Sequence, residues 1–246
     1  MRFITAVSAA AALSGFASAD LLHSEIVTDE TFAADDEKMA AFGGFSCNNL
    51  VPLLTKTDCE YMSRIGLASQ GVNSEKRTGD AWISNRGRYT ITFTSTSSSP
   101  LTVVLWTWDK EDDYTANSVN VRQPKISVSL PKKGRSVTVS LDVGVTGGFS
   151  ALNAGETKLN QHGQIFNTWG EFSTGDSKAN IDISEQVSSH GSAVAVTGTS
   201  RNQVHIALGD LSSGTASRRG LNDPFGGTWV VGQPVGGIRD IGGADM

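Results

Sequence analysis

Residues 125–141 read KISVSLPKKGRSVTVSL and decide the fold class. Apolar and polar residues alternate on both sides of a Pro-Lys-Lys-Gly turn; the apolar positions are Ile126, Val128 and Leu130 before it, and Val137, Val139 and Leu141 after it. Side chains two positions apart lie on one face of a strand, so each half has one apolar face. The pattern predicts an antiparallel β-hairpin with Val128 and Val139 pointing into the core.

Short segments of the same kind lie on both sides of this stretch. In residues 88–94 an alternation of Tyr, Ile and Phe with polar neighbours precedes a Ser-rich break and then residues 101–106, which predicts a second hairpin. Further strands are predicted at residues 165–172, 178–183, 193–196 and 204–208, and a loop at Gly147-Gly148-Phe149-Ser150. Regularly spaced short strands predict an all-β domain over residues 78–210, an antiparallel β-sandwich of the thaumatin-like or jelly-roll-like kind.

Residues 1–19 have the pattern of a secretory signal peptide. Met1-Arg2 supplies a positive charge, Phe3–Phe16 is a run of apolar and small residues, and Ala17-Ser18-Ala19 is a small-x-small cleavage pattern. We expect cleavage between Ala19 and Asp20 and secretion of the mature chain. Neither this run nor any later segment reaches the roughly 20 apolar residues of a membrane span, so no span is predicted.

Residues 20–77 are Ala-rich and acidic, with little hydrophobic periodicity before residue 50. This segment is expected to be a loosely ordered leader, and it contains the chain's two cysteines, Cys47 and Cys59. In an oxidising compartment these two are expected to form a disulfide. The four histidines are too scattered to complete a metal site, so no metal or other cofactor is expected.

The leader ends at a dibasic pair, Lys76-Arg77, in a polar setting. Two interpretations stay open: a secretory protease cuts there and removes residues 20–77 as a propeptide, or the pair is merely solvated charge. Arg218-Arg219 is a second candidate processing site, and it lies in a Gly-rich tail over residues 211–246. The tail offers few core residues, so we expect it to be poorly ordered or to form one short strand around Trp229.

Charge and motif content exclude several classes of function. The formal net charge of -5 at pH 7 lacks the basic excess that nucleic acids attract, so no nucleic-acid partner is expected. A serine hydrolase would need a nucleophile on a strained turn, and the chain has no Gly-x-Ser-x-Gly sequence. His162 and His190 are interpreted as exposed loop residues, and His205 as pointing to the opposite face of its strand from its apolar neighbours. The chain is therefore predicted not to be an enzyme.

An acidic cluster follows residues 101–108. Its members are Asp109, Glu111, Asp112 and Asp113. Carboxylates in a cluster can bind calcium or, in facing pairs, hydrolyse glycosides. This cluster lacks the Gly and alternating Asn or Asp of a calcium loop, and adjacent loop residues do not face each other. A solvated turn is the preferred interpretation.

Four tryptophans are the tentative binding residues: Trp82, Trp106, Trp108 and Trp169. Aromatic side chains on a sheet surface stack on sugar rings and anchor protein partners. Trp106 and Trp108 are two positions apart and share a strand face with Val104. Packing in the core is therefore the competing interpretation for that pair.

Five stretches resemble a group of ascomycete secreted proteins often called effector 5-like. They read WISNRGRY at residues 82–89, LW at 105–106, VRQPKISV at 121–128, GQIFNTWGEF at 163–172 and IDIS at 181–184. The resemblance covers roughly residues 80–200, and the Asn-Thr-Trp-Gly-Glu-Phe block is its most specific part. The group ends in a cysteine-rich segment, whereas this chain has no cysteine after Cys59, so the C-terminal third lies outside the resemblance. The resemblance implies a secreted fungal effector with a thaumatin-like β-sandwich, and it carries over no catalytic residue.

The leading functional hypothesis is a secreted fungal effector or virulence-associated protein that acts on a host by binding. Its partner would be a host protein or a cell-wall glycan. One alternative is an extracellular module that binds cell-wall polysaccharide through Trp82, Trp106 or Trp108. A second alternative is a secreted glycan hydrolase that uses the carboxylates between Asp109 and Asp113.

Overall fold

The structure is a computed structural model that describes residues 45–77, 79–108, 123–175, 179–184, 187–188, 191–199, 202–210 and 228–231. These ranges contain one helix, α1 (Lys56–Arg64), and eleven strands. The strands are β1 (Ala81–Ile83), β2 (Tyr89–Ser95), β3 (Leu101–Thr107), β4 (Ile126–Leu130), β5 (Ser136–Leu141), β6 (Thr146–Asn153), β7 (Trp169–Thr174), β8 (Ala179–Ser184), β9 (Val194–Thr199), β10 (Gln203–Leu208) and β11 (Thr228–Val231). The predicted signal peptide and its cleavage at Ala19-Asp20, the acidic cluster, and the Arg218-Arg219 pair lie outside the described residues.

The strands form two sheets, which confirms the predicted all-β sandwich. The first sheet has the order β1-β5-β2-β10-β9-β11, and the second has the order β4-β3-β6-β7-β8. Among these described strands, neighbours run antiparallel except β2 and β10, which run parallel. No helix in the described part of the chain is long and apolar enough to cross a membrane.

A large hydrophobic core fills the space between the sheets. Alternate residues of each strand enter it, such as Tyr89, Ile91 and Phe93 of β2, which are at most 3% exposed. Phe93 of the first sheet meets Phe149 of the second edge to face, with ring centroids 4.9 Å apart and planes at 71°. The core is therefore continuous from one sheet to the other.

Both predicted hairpins are wrong in the same way. β4 and β5 lie in different sheets, and so do β2 and β3. The predicted burial is nevertheless confirmed, since Val128 is 2% and Val139 0% exposed. Alternation of polarity specifies which face of a strand is buried, but a sandwich satisfies it equally well when two successive strands face each other across the core.

The predicted loop at Gly147-Gly148-Phe149-Ser150 is instead part of β6, which pairs with both β3 and β7. Its glycines accommodate close neighbours: a Cβ on Gly147 would lie 2.4 Å from Cζ of Phe172. Glycine in a strand interior often marks such a close approach rather than a turn. The strand predicted from residue 165 begins only at Trp169, whereas the short strand expected around Trp229 is confirmed as β11.

Residues 45–77 pack on the outer face of the second sheet, which corrects the expectation of a loosely ordered leader for this part of it. Thr55 caps the N-terminus of helix α1, and its side chain accepts a hydrogen bond from the Asp58 backbone N–H. The helix contributes to a second hydrophobic cluster, here called the outer cluster. Its buried members are Leu54, Cys59, Tyr61, Met62, Ile65, Leu67, Val104, Trp106, Leu152, Leu159, Ile165 and Trp169.

Candidate functional site

Trp106 and Trp169 belong to the outer cluster and are 1% and 3% exposed. Their rings stack with centroids 5.7 Å apart and planes at 8°. The Trp169 indole Nε1 also donates a hydrogen bond of 2.7 Å to the Ile165 carbonyl. Neither ring presents a face to solvent, so the tentative binding role of these two residues is corrected to a packing role.

Trp82 and Trp108 lie elsewhere, so the four tryptophans do not form one surface. Trp82 of β1 is 6% exposed, and the Arg77 guanidinium lies 5.9 Å from its ring centroid. Trp108 directly follows β3 and is half-buried, and its backbone N–H donates to the Thr146 carbonyl. Trp108 is the one predicted tryptophan that keeps a partly exposed side chain, and its binding role stays a prediction.

The predicted Cys47–Cys59 disulfide is confirmed, with Cα atoms 5.9 Å apart. It ties the start of the described chain to helix α1, inside the outer cluster. Neither sulfur is available for redox chemistry with a third cysteine, because the sequence contains only these two.

The dibasic pair Lys76-Arg77 lies in an exposed stretch before β1. Arg77 Nη2 lies 2.8 Å from each carboxylate oxygen of Asp142, and Nε donates to Oδ2 at 3.1 Å. This guanidinium, with a further hydrogen bond from the Val143 N–H, holds the pKa of the Asp142 carboxyl below its usual value. Processing after Arg77 stays a prediction.

The outer face of the first sheet is a candidate binding surface that was not predicted from the sequence. Its outward positions on β5, β2, β10 and β9 are the residues that alternate with the buried ones. They are Ser136 and Thr138, then Thr92 and Thr94, then Gln203, His205 and Ala207, then Thr197; Thr90, Ser140 and Ala195 point the same way but are at most 7% exposed. We call this set the hydroxyl face. None of these positions is Asp, Glu, Lys or Arg.

The side chains of the hydroxyl face bond to one another across the strands. The hydroxyls of Thr92 and Thr138 are 2.9 Å apart, and those of Thr94 and Ser136 are 2.8 Å apart. Thr94 Oγ1 also lies 2.6 Å from Nε2 of His205, which is exposed as the strand pattern predicted. A hydroxyl offers one donor and two acceptors, so this network orders the side chains and still has capacity for further hydrogen bonds.

Ser and Thr on the solvent face of a strand have an ordinary explanation, because β-branched Thr favours strands. The unusual feature is the lack of charge over four adjacent strands, since exposed sheet surfaces are normally interspersed with Lys and Glu. The sequence contains a signal for this face, the Thr-x-Thr-x-Thr spacing at 90–94. Elsewhere, in the part of the chain that is described, no three His, Cys, Asp or Glu residues are grouped so that they could hold a metal ion.

Comparison with known proteins gives one family match. The model of the Allergen Asp f 4-like domain matches residues 81–216, more than half of the chain, and the match begins at β1. No curated protein matches the sequence. The match agrees with the fungal part of the resemblance noted above, but it does not confirm the effector 5-like group. Over this range the chain belongs to the Allergen Asp f 4-like family of fungal proteins.

Proposed function

We propose that this chain is a secreted fungal protein that acts by binding rather than by catalysis, and that the hydroxyl face binds an extended neutral glycan. The observation that carries the proposal is the array of Ser and Thr on β5 and β2, which Gln203 and His205 of β10 and Thr197 of β9 extend without adding Asp, Glu, Lys or Arg. The family supports a fungal protein, and the predicted signal peptide supports secretion.

The chemistry of the face fits a neutral polysaccharide better than other polymers. Hydroxyl groups of sugar rings and of Ser or Thr are each donor and acceptor, so they can pair in either direction. A polyanion would leave its charges without cationic partners there. Protein interfaces are centred on aromatic side chains and Arg, which this face lacks.

The geometry also suits a regular, extended ligand. Neighbouring strands are about 4.8 Å apart, and residues two positions apart in a strand are separated by about 6.6 Å, so the hydroxyls of β5 and β2 are regularly spaced along the twisted sheet. Thr is stiff about χ1, and the bonds between Thr92 and Thr138 and between Thr94 and Ser136 hold the side chains further. Binding would therefore cost little side-chain entropy.

Retention on insoluble chitin, cellulose and β-glucan tests the proposal. The double variant Thr92→Val and Thr138→Val removes two bonded hydroxyls and keeps the side-chain shape. Thr107→Val, in the second sheet, is the matched control. We expect the chain to be retained by at least one of these matrices, with retention lost in the double variant and kept in the control. Failure to bind any neutral polysaccharide, or equal retention of all three proteins, would overturn it.

Action on a host is a finer proposal, supported by the sequence resemblance within residues 82–184 rather than by the geometry of the hydroxyl face. It requires that deletion of the gene reduce colonisation of the host, or that the purified protein provoke or suppress a host response. If neither effect is observed, the glycan bound by this protein belongs to the fungus's own wall or to its substrate. The retention experiment is unaffected by that outcome, so the two proposals are tested separately.

A further inference from the structure

Residues 45–77, here called the N-terminal cover, are joined to the sandwich by one short exposed link. The link consists of residues 75–80, and its described residues, Glu75, Lys76, Arg77, Gly79 and Asp80, are all exposed. The disulfide joins Cys47 to Cys59 and so lies wholly within the cover. Because the sequence has no other cysteine, no disulfide ties the cover to the sandwich.

The cover is nevertheless held by buried apolar contacts. Cys59 and Met62 of α1 are 0% exposed and belong to the outer cluster with Trp106 and Trp169 of the second sheet. Removal of apolar surface from water is favourable, and several large apolar side chains come from each partner. Separation of the cover would expose all of them to water.

Buried hydrogen bonds anchor the cover on strand β4. Asn73 is 1% exposed, and its side-chain Nδ2 donates to the Ser127 carbonyl at 2.7 Å while its Oδ1 accepts from the Ser127 N–H at 2.7 Å. The Thr55 N–H donates to Ser129 Oγ at 2.8 Å, and the same Ser129 hydroxyl donates to the Asp58 carboxylate. Dissociation of the cover would break these hydrogen bonds, so each of them favours the bound state.

We propose that Lys76-Arg77 is a processing site and that cleavage there leaves a two-chain protein with the cover still bound. A dibasic-specific secretory endoprotease would add water across the peptide bond on the carboxyl side of Arg77. Arg77 then ends in a carboxylate, and the following residue gains an amino group. Hydrolysis breaks one peptide bond in the exposed link and leaves the shared hydrophobic cluster intact. The cover therefore remains bound as a noncovalent subunit and is not lost as a propeptide.

The experiment uses the full secreted chain and a purified dibasic-specific endoprotease at neutral pH. Mass spectrometry under denaturing conditions should show a new fragment ending at Arg77. Gel filtration under native conditions should show the fragment that ends at Arg77 in the same peak as the sandwich, whether or not Arg218-Arg219 is also cut. The matched control Arg77→Ala should lose the cut at this position. Absence of cleavage after Arg77 in the folded wild type would overturn the proposal, as would elution of the cover apart from the sandwich.

A second variant tests the anchor independently. Asn73→Ala removes the bonds to Ser127 and leaves the covalent link intact, so the uncut variant should elute like the uncut wild type. After cleavage, we expect its cover to dissociate on dilution more readily than that of the cut wild type, with a shift of the tryptophan fluorescence to longer wavelength as Trp106 and Trp169 become exposed. A cut variant that retains its cover as firmly as wild type would overturn the anchoring role of Asn73.

Discussion

Trp106 of β3 and Trp169 of β7 stack on each other although β6 lies between their strands. The intervening position is Gly148, which pairs with Trp106 in the register. A Cβ placed on Gly148 would lie 3.5 Å from the Trp169 ring, an ordinary van der Waals distance, so this indole packs directly on the β6 backbone at the glycine. Helix α1 packs in the same cluster and shields this aromatic pair from water.

Truncation of this pair is expected to destabilise the whole fold. Trp106→Ala removes a side chain that is 1% exposed, and large aromatic deletions of this kind cost about 3–5 kcal/mol because a cavity remains. Trp108→Ala is the control, since Trp108 is half-buried and should cost much less. The free energies of unfolding in urea check this. Equal losses in the two variants would show that Trp106 is not part of a packed cluster.

The disulfide should contribute measurably to the stability of the N-terminal cover. The double variant Cys47→Ala and Cys59→Ala opens a loop with a sequence separation of 12 residues, for which the loss is about 3 kcal/mol. Guanidinium unfolding of the variant should match that of wild type with its disulfide reduced. Reduction should leave the variant unchanged, and a reductant effect of equal size in both proteins would contradict the interpretation.

The sequence predicted the faces of the strands but not their partners. Val128 and Val139 are buried as expected, because alternation alone specifies the face. Their strands fall in different sheets because the pairing depends on the path of the chain across the core, which no local pattern encodes. β6 was missed because Gly147 and Gly148 are interpreted as turn residues unless a close neighbour such as Phe172 is known.

The candidate site was less predictable than the fold. The tryptophans were tentative binding residues with core packing as the competing interpretation, and the burial of Trp106 and Trp169 depends on a helix formed by a segment that lacks strand periodicity. The hydroxyl face is encoded as Thr-x-Thr-x-Thr in β2, yet its extent becomes visible only when β5 and β10 are placed on either side of β2. Both the burial of Trp106 and Trp169 and the extent of the hydroxyl face therefore depend on contacts between residues that are far apart in the sequence.

Gly170 should tolerate no side chain. A Cβ at this position would lie 2.0 Å from Cζ of Phe149, a ring that is 1% exposed and packed against Phe93. Gly170→Ala should therefore cost about 1–3 kcal/mol through overpacking. Gly79→Ala is the matched control, because a Cβ there meets nothing within 4 Å. Thermal unfolding of both variants measures the difference, and similar melting temperatures would refute the close packing of Gly170.

The ion pair between Arg77 and Asp142 should make a small, pH-dependent contribution to stability. The pKa of Asp142 is lowered in the folded state below its ordinary value of 3.8, chiefly by the hydrogen bonds from Arg77. A lowered folded pKa gives stability that is present above the unfolded pKa and is lost as the pH falls through the folded pKa. The two side chains are 68% and 33% exposed, so the contribution should stay below about 1 kcal/mol.

Comparison of wild type with Asp142→Asn tests this sign. At pH 7 the wild type should have the larger free energy of unfolding, and the difference should shrink as the pH falls well below 3.8, because Asp142 is then protonated and resembles Asn. In an Arg77→Ala background the same substitution should show a smaller dependence on pH, since the hydrogen bonds from Arg77 are already absent. High salt should also reduce the effect at pH 7 by screening an exposed pair. A difference between wild type and Asp142→Asn that stays constant from pH 7 to pH 2 would contradict the lowered pKa, because both the ion pair with Arg77 and the hydrogen bond from the Val143 N–H favour the charged carboxylate.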